Sequence, residues 1–482
     1  MKKMKKYILI LSLLILASCS QVGDLQDDPN RATQVSPDLL LTNIETSAFN
    51  NVSLNAALAS RQLTYTDGTD SYQYYNWQRA GFDNYDILKQ VQKMIQESKR
   101  TETEVYQILA KFFNAYFTVE LTRVFGDVPF TEAVQAEDGL YMPVYDSQES
   151  IYKSVLDSLK TASLELAQND EAIRGDIIYN GDKTKWRKLI NSYSLRVLMS
   201  LSKKTNNSNL EVVTRFNEIV NNPTQYPIFE SNTDNAALVY VDIQDNRYPL
   251  FNSNSLQTAY YMEQSFVERL QNLEDPRLFA FADKKPNASA AAVTDFTAYG
   301  GLYGSAPLSD NGAKAVSGEA SRIKPRYYND PINEPSLLMG YPELQFTLAE
   351  AAARGWITTA TDSYYKTGIA ASMNFYGITD TADYLANPKV QLQNPADIAT
   401  ILAQKHIALF LNTGWQIFYD QRRTGFPEFN VDGGGILNNG LIPKRFMYPQ
   451  NETVNNPENL NDAITRQFPE GDNINGVMWL IN

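Results

Sequence analysis

The sequence predicts a mainly α-helical protein in which helix pairs carry long irregular loops. Three observations predict this class. Apolar residues recur at helical spacing over several long segments, helix-starting and helix-stopping residues flank those segments, and stretches rich in Gly, Pro, Ser and Asn separate them. The chain has 482 residues, of which 43% are hydrophobic and 20% charged, so it can build a sizeable core.

The first half of the chain contains the strongest helix signals. Ser36-Pro37 offers a cap residue followed by proline at the first helical position. A long apolar stripe runs from Val105 to Val124, and Gly126 and Pro129 predict where that helix ends. Asp146 with Glu149 resembles a capping box, which predicts that the next helix begins there.

The second half contains weaker signals. Helical apolar patterns cover, in chain order, 186–201, 344–352 with Gly355 as the stop signal, and 398–415 as one last long helix. From Pro427 onward turn residues recur, which predicts irregular structure to the end of the sequence.

The N-terminus has the pattern of a secretory signal. Four lysines lie in the first six residues, and the apolar run 7–16 is too short to span a bilayer of roughly 30 Å as a helix. Leu16-Ala17-Ser18-Cys19 resembles the lipobox of bacterial lipoproteins, which implies cleavage before Cys19 and its acylation; the alternative is an ordinary signal peptide with an incidental cysteine. We expect a lipoprotein signal peptide over 1–18, lipidated Cys19 and a flexible tether over 19–35, and a single domain over 36–482.

Composition excludes several classes of function. The 42 basic and 55 acidic residues give a net charge of −13, which repels phosphate backbones, so nucleic acid is not an expected partner. One cysteine and one histidine cannot supply a Cys/His zinc site, and no metal or other cofactor is expected. His406 is interpreted as a packed or surface histidine, since no nucleophile elbow accompanies it.

Aromatic residues outside the helical stripes are the best candidates for ligand binding. One group combines rings with a cation and comprises Tyr72, Tyr74, Tyr75, Trp77 and Arg79. An exposed ring can stack on the C–H face of a sugar while arginine and amides bind its hydroxyls, each ring contributing about 0.5–1.5 kcal/mol. The alternative is that these residues pack under a loop.

Two further clusters are weaker candidates for ligand binding, and each has a structural alternative. Tyr299 and Tyr303 lie among glycines that would allow a ligand to approach the backbone, or would equally serve tight turns. The adjacent Arg422 and Arg423 could bind an anion, but with Asp420 and Glu428 nearby we interpret them as an ion-paired turn.

Short strings in a fixed order resemble the SusD/RagB family of outer-membrane lipoproteins. Those that carry the resemblance are, in chain order, Asp28-Pro29-Asn30, Ser36-Pro37-Asp38-Leu39-Leu40, the segment 121–130, Pro143-Val144-Tyr145-Asp146, the segments 181–186 and 191–196, Asp275-Pro276-Arg277-Leu278, Tyr341-Pro342-Glu343-Leu344, the segment 350–355, Gln404-Lys405, the segment 421–427, Ile442-Pro443-Lys444-Arg445-Phe446 and the segment 448–452.

This resemblance implies tetratricopeptide-like helix pairs, a variable loop-rich ligand face and no catalytic residues. It also implies a lipid-anchored, cell-surface protein of the outer membrane that captures oligosaccharides and delivers them to a SusC-like TonB-dependent transporter. Two alternatives remain within the family: capture of peptides, and a lid or scaffold without its own ligand affinity. The least expected function is that of a glycoside hydrolase, which would need two carboxylates about 5–10 Å apart in a cleft.

Overall fold

The computed structural model describes residues 34–482. The predicted signal peptide, Cys19 and nearly all of the predicted tether lie outside the described residues. The described chain is mainly helical, which confirms the predicted fold class. None of its helices is both long enough and apolar enough to cross a membrane.

The α-helices share short or moderate length and are connected by long loops. In chain order they are α1 (Pro37–Phe49), α2 (Leu54–Ala59), α3 (Asn84–Arg100), α4 (Glu104–Phe125), α5 (Gln148–Leu166), α6 (Lys183–Ser200), α7 (Val212–Asn221), α8 (Asn254–Thr258), α9 (Gln264–Asn272), α10 (Leu278–Phe281), α11 (Leu308–Val316), α12 (Arg326–Asn329), α13 (Tyr341–Ala353), α14 (Thr361–Phe375), α15 (Ala382–Ala386), α16 (Ile398–Ala408), α17 (Gln416–Thr424), α18 (Glu452–Asn455) and α19 (Pro457–Gln467).

Six short strands join distant parts of the described chain. They form three two-stranded antiparallel sheets, namely β1 (Leu63–Tyr65) with β5 (Tyr260–Met262), β2 (Val128–Pro129) with β3 (Tyr145–Asp146), and β4 (Ala236–Leu238) with β6 (Ser336–Met339). In the first sheet Leu63 lies opposite Met262, which brings Gln62 before β1 close to Glu263 before α9.

Neighbouring helices pack in pairs, chiefly α3 with α4, α5 with α6, and α13 with α14. The α4 stripe is buried, and Trp186 of α6 packs edge-on against Phe112 and Phe113. A separate buried cluster between α13, α14 and α16 includes Phe346 and Tyr365. Helix pairs with interlocking apolar faces therefore form most of the core, and some loop residues, such as Trp77 and Phe446, pack into it.

Helix starts and stops follow local chemistry, with one correction. Gly126 ends α4 in a positive-φ conformation (φ 99°), as predicted. The cap of α5 is Ser147, whose side chain accepts from the backbone N–H of Ser150, so the prediction of Asp146 was wrong by one residue. Asp146 instead accepts from the backbone N–H groups of Phe130 and Thr131.

The prediction of one long last helix was also wrong. Helix α16 ends at Ala408 and α17 begins at Gln416, with Leu411 and Thr413 in the left-handed region between them. The backbone N–H of Leu411 donates to the side chain of Gln62 at 3.0 Å, a distant contact that replaces a helical hydrogen bond. The prediction of irregular structure from Pro427 to the end of the sequence was wrong too, because α18 and α19 lie in that segment.

Candidate functional site

Trp77 lies in an aromatic core instead of on a ligand face. Its ring stacks on Phe446 with centroids 5.0 Å apart and meets Phe418 edge-on at 5.4 Å. The indole N–H donates to the carbonyl of Arg445 at 3.1 Å, and the side chain is 3% exposed. The predicted role of Trp77 as an exposed stacking ring therefore disagrees with the structure, since both ring faces are covered by protein.

Tyr74 and Tyr75 are buried beside it. Tyr75 is fully buried, donates from its hydroxyl to the carbonyl of Ala59 at 2.8 Å, and has the guanidinium of Arg61 over its ring. This burial raises the pKa of Tyr75 to about 12. Tyr74 is 2% exposed and donates to the carbonyl of Ala306. Both residues therefore follow the alternative interpretation, in which the rings pack under a loop.

Two residues of this group keep partial exposure. The ring of Tyr72 packs against those of Trp77 and Trp415, with centroid distances of 5.8 Å and 5.7 Å, and Tyr72 is half-buried. Arg79 pairs with Asp472 at 3.0 Å and also donates to the carbonyl of Tyr448. Tyr72 and Arg79 stay as predicted ligand contacts, although Arg79 already has two protein partners.

The second predicted group, Tyr299 and Tyr303, also contains one buried residue and one that keeps partial exposure. Tyr299 is 2% exposed and donates to the carbonyl of Val293 at 2.8 Å. Tyr303 is half-buried and donates to Glu268 at 2.9 Å, and burial together with this carboxylate raises its pKa to about 12. A Cβ at Gly301 would lie 2.7 Å from the carbonyl oxygen of Met262, so this glycine serves close packing within the protein.

The Arg422–Arg423 pair is structural. Arg423 donates to Glu350 at 2.8 Å and to Asp420 at 2.9 Å, which agrees with the predicted ion pairing. The predicted turn was wrong, because both arginines lie in helix α17, and Glu428 forms no ion pair within the described residues. Arg422 donates to the carbonyls of Arg123 and Lys444, both at 2.8 Å. Neither guanidinium is available to a ligand, because both are buried.

Two neighbouring open clefts lie beside the second predicted group, one next to Tyr303 and the other next to Tyr299. The first, the Arg269 cleft, has a volume of about 370 Å³ and lies between α9 and α16. Its lining includes Glu268, which accepts the hydroxyl of Tyr303. The second, the Phe279 cleft, has about 360 Å³ and lies between α10, the loop before Tyr299, and α15. Lys389 of the first cleft pairs with Glu274 of the second at 2.8 Å, so one exposed ion pair separates them.

The Phe279 cleft combines rings with polar side chains. Phe279 and Phe296 are half-buried, and their centroids lie 4.7 Å apart. Asp380 and Asp383 are exposed at its edge and have no hydrogen bond or ion pair within residues 34–482. Half-buried rings next to free carboxylates can contact the apolar face and the hydroxyls of a sugar respectively.

Sequence reasoning did not identify these cleft residues. Asp275-Pro276-Arg277-Leu278 immediately precedes Phe279, but its own side chains are structural, since Arg277 is buried and donates to Asp275 and Gln404. Two features of the sequence could have indicated the cleft: Phe279 directly follows this string, and Phe296 lies in the Gly/Ser/Asn-rich loop. The approach of α15 to both could not be inferred locally.

The architecture is that of a helical protein with two neighbouring open clefts, one between α9 and α16 and one beside α10 and α15. The chain matches the family model described as "starch-binding associating with outer membrane" over residues 29–449. It therefore belongs to the SusD-like family, whose members are nutrient-binding proteins associated with the outer membrane.

Solved structures agree with this assignment. A SusD homologue from Bacteroides fragilis is 41% identical with a TM-score of 0.87, covering 93% of this chain and 100% of the other. An outer membrane protein from Bacteroides vulgatus, described in connection with nutrient binding, is 40% identical with the same TM-score and the same coverage. A chitin-binding SusD homologue from Flavobacterium johnsoniae shares the fold at 18% identity and a TM-score of 0.74, covering 92% of this chain and 98% of the other. A search of curated proteins finds no match.

Proposed function

We propose that this chain is a lipid-anchored protein of the cell surface that captures oligosaccharides and delivers them to a SusC-like TonB-dependent transporter. The observation that carries the proposal is the Phe279 cleft in a chain of the SusD-like family, where two rings adjoin unpartnered carboxylates. Family members bind starch, chitin or other nutrients, and the relative that binds chitin has the same fold.

The chemistry of the cleft favours a saccharide over an apolar ligand. A pyranose presents C–H groups on one face and hydroxyls around its rim, so it needs a ring surface and planar acceptors together. Phe279 and Phe296 supply the first, and Asp380 and Asp383 supply the second. Both clefts fall within the size range of small-molecule sites, about 300–1,000 Å³, and they are open at the surface.

Delivery requires that the protein releases its cargo to a partner. A few ring contacts and hydrogen bonds correspond to dissociation constants between mM and μM, or about −4 to −8 kcal/mol. That affinity permits both capture and release. The transporter interface would bury more than roughly 1,200 Å², which we assign to the helix-pair side, leaving the clefts to face the cargo.

The proposal is tested with the full lipid-anchored chain in its own outer membrane. We expect a tagged chain to co-purify with a β-barrel transporter, and deletion of the chain to reduce uptake of labelled oligosaccharides at low external concentration. A Phe279→Ala, Phe296→Ala variant should reduce uptake while still co-purifying with the transporter. Unchanged uptake after deletion, or a chain that co-purifies with no transporter, would contradict the proposal.

A further inference from the structure

Arg269 is half-buried and has an unusual set of partners for an arginine. Its Nη1 lies 2.7 Å from Nδ1 of His406. Its other N–H groups have no acceptor within the described residues, and no carboxylate of residues 34–482 lies within 4.0 Å. A guanidinium has five N–H donors, so four of them are left for a group that enters the Arg269 cleft.

His406 cannot neutralise this charge. The imidazole is 1% exposed and packs against Phe266 and Phe429. Burial, and then the charge of Arg269, hold the pKa of His406 well below its usual 6.5, so the ring is neutral and accepts through Nδ1. Burial lowers the pKa of Arg269, but a guanidinium stays protonated at neutral pH. Glu263 and Glu428 attract it only from beyond ion-pair distance.

The rest of the Arg269 cleft also presents donors. The amide of Asn272 is exposed and has no hydrogen bond within the described chain, and Lys389 lines the same cleft, although it also pairs with Glu274. The one lining carboxylate, Glu268, accepts from Gln264 at 2.8 Å and from Tyr303 at 2.9 Å, both at Oε1, so its Oε2 has no partner within the described residues. Unused donors thus exceed unused acceptors, in a protein whose net charge is −13.

We propose that the Arg269 cleft binds the carboxylate of an acidic sugar unit, so that the cargo is a uronate-containing oligosaccharide. This deepens the proposed function and rests on it. A planar guanidinium matches a carboxylate with two parallel hydrogen bonds. The adjoining Phe279 cleft would hold the next sugar unit, because the two clefts meet at the Lys389–Glu274 pair.

A saccharide fits these contacts better than a peptide. The polar groups near Arg269 include the amide of Asn272, which matches the rim of a sugar ring. The hydroxyls of Ser265 and Thr400 already donate to protein carboxylates, so they can accept from sugar hydroxyls. Apolar lining that would hold peptide side chains is limited there to Leu273 and Ala403. Rings begin only in the neighbouring cleft, where Phe279 and Phe296 present their faces.

The test compares two ligands that differ at the carboxyl groups, which are ionised in one and esterified with methyl groups in the other. The chain from Ser20 onward, which contains every described residue, is titrated calorimetrically with trigalacturonate and with its methyl ester. We expect the ester to bind about 10- to 100-fold more weakly, because it loses the charge-assisted hydrogen bonds. Arg269→Gln should weaken trigalacturonate binding by a similar factor and barely affect the ester. Arg174→Gln, the same substitution at an exposed arginine, should change neither.

Each contrary result has a distinct meaning. Equal affinity for trigalacturonate and its ester, or full affinity in Arg269→Gln, overturns the assignment. Binding of chitotriose or maltotriose alone overturns the uronate inference but leaves oligosaccharide capture intact. Binding of an acidic tripeptide in place of any sugar overturns both. The comparison of ligands on the unaltered chain stays valid even if Arg269→Gln reduces the folded fraction.

Discussion

The Nη1 of Arg269 donates a hydrogen bond to Nδ1 of His406, the single histidine of the chain, over 2.7 Å. This bond explains a histidine that sequence reasoning left as a packed or surface residue. It fixes the proton of the neutral imidazole on Nε2, because Nδ1 must accept. It also holds a charged guanidinium at the wall of an open cleft.

We predict that His406 stays neutral in the folded protein across the physiological range. Its pKa is lowered by burial and by Arg269, so the NMR signals of this one imidazole should show no titration between pH 8 and pH 5.5. The unfolded chain in urea should titrate near pH 6.5. A midpoint near 6.5 in the folded protein would contradict the assignment.

The same pKa shift predicts how stability depends on pH. As pH falls below about 6.5, the unfolded chain binds a proton that the folded chain excludes. The contribution of His406 to the free energy of unfolding therefore decreases with falling pH and is fully present above 6.5. A His406→Gln variant should lack this part of the slope in urea titrations between pH 5 and pH 7.5.

Glu45 should show the opposite dependence. Burial, followed by the charge of Asp176, raises its pKa from 4.5 to about 10, so the carboxyl is protonated at neutral pH. The folded chain binds this extra proton between those values, and stability is lost as pH rises from 4.5 towards 10. Glu45→Gln needs no proton, keeps the contact with the backbone N–H of Ile177, and should be more stable than wild type at pH 8.

Measuring the stability of Glu45→Gln and wild type at two pH values provides the control for this prediction. At pH 8 the gain in free energy of unfolding should be on the order of 2–4 kcal/mol, and at pH 4 it should vanish. Glu470→Gln, at an exposed glutamate, should change stability by less than about 0.5 kcal/mol at either pH. A Glu45→Gln variant that is less stable at pH 8 would contradict the protonated state.

Trp77→Ala should reduce stability instead of removing a ligand contact. The substitution opens a cavity between Phe418 and Phe446 and should cost about 3–5 kcal/mol in urea unfolding. Tyr303→Phe, which removes one hydroxyl at a half-buried site, should cost less than about 1.5 kcal/mol. Near-wild-type stability of Trp77→Ala together with lost sugar binding would restore the original prediction for this residue.

The buried pair of Arg423 and Glu350 should behave as a structural element. Glu350→Gln leaves the buried guanidinium with Asp420 as its remaining carboxylate partner and should cost about 3 kcal/mol in urea unfolding. Replacing both residues by Met should recover part of this loss, because no unpaired charge remains between them. Neither variant should alter oligosaccharide affinity when it is measured on folded protein.

Local chemistry was enough to predict the helical class and several boundaries. The stripe of α4 is buried as its periodicity requires, and Gly126 ends it for a backbone reason visible in the sequence. The break between α16 and α17 was not visible. It depends on a hydrogen bond from Leu411 to Gln62, and nothing near Leu411 in the sequence indicates that partner.

The candidate site was harder to predict for the same reason. The indole N–H of Trp77 finds its acceptor on Arg445, 368 residues away, and such partners decide whether an aromatic residue is exposed. Tyr72 and Tyr303 keep partial exposure, whereas Tyr75 and Tyr299 are covered. The Arg269 cleft depends on the approach of α9 to α16, a long-range contact that no motif encodes.

The proposed function is that the chain binds an oligosaccharide and releases it chemically unchanged. The most direct measurement titrates the chain from Ser20 onward with neutral oligosaccharides, acidic oligosaccharides and short peptides, and then recovers every ligand for analysis. We predict saturable binding of an oligosaccharide, with a dissociation constant between mM and μM, and recovery of the ligand intact. Cleaved ligand would show an enzyme, and binding of peptides without any sugar would show a different cargo; either result would contradict the account.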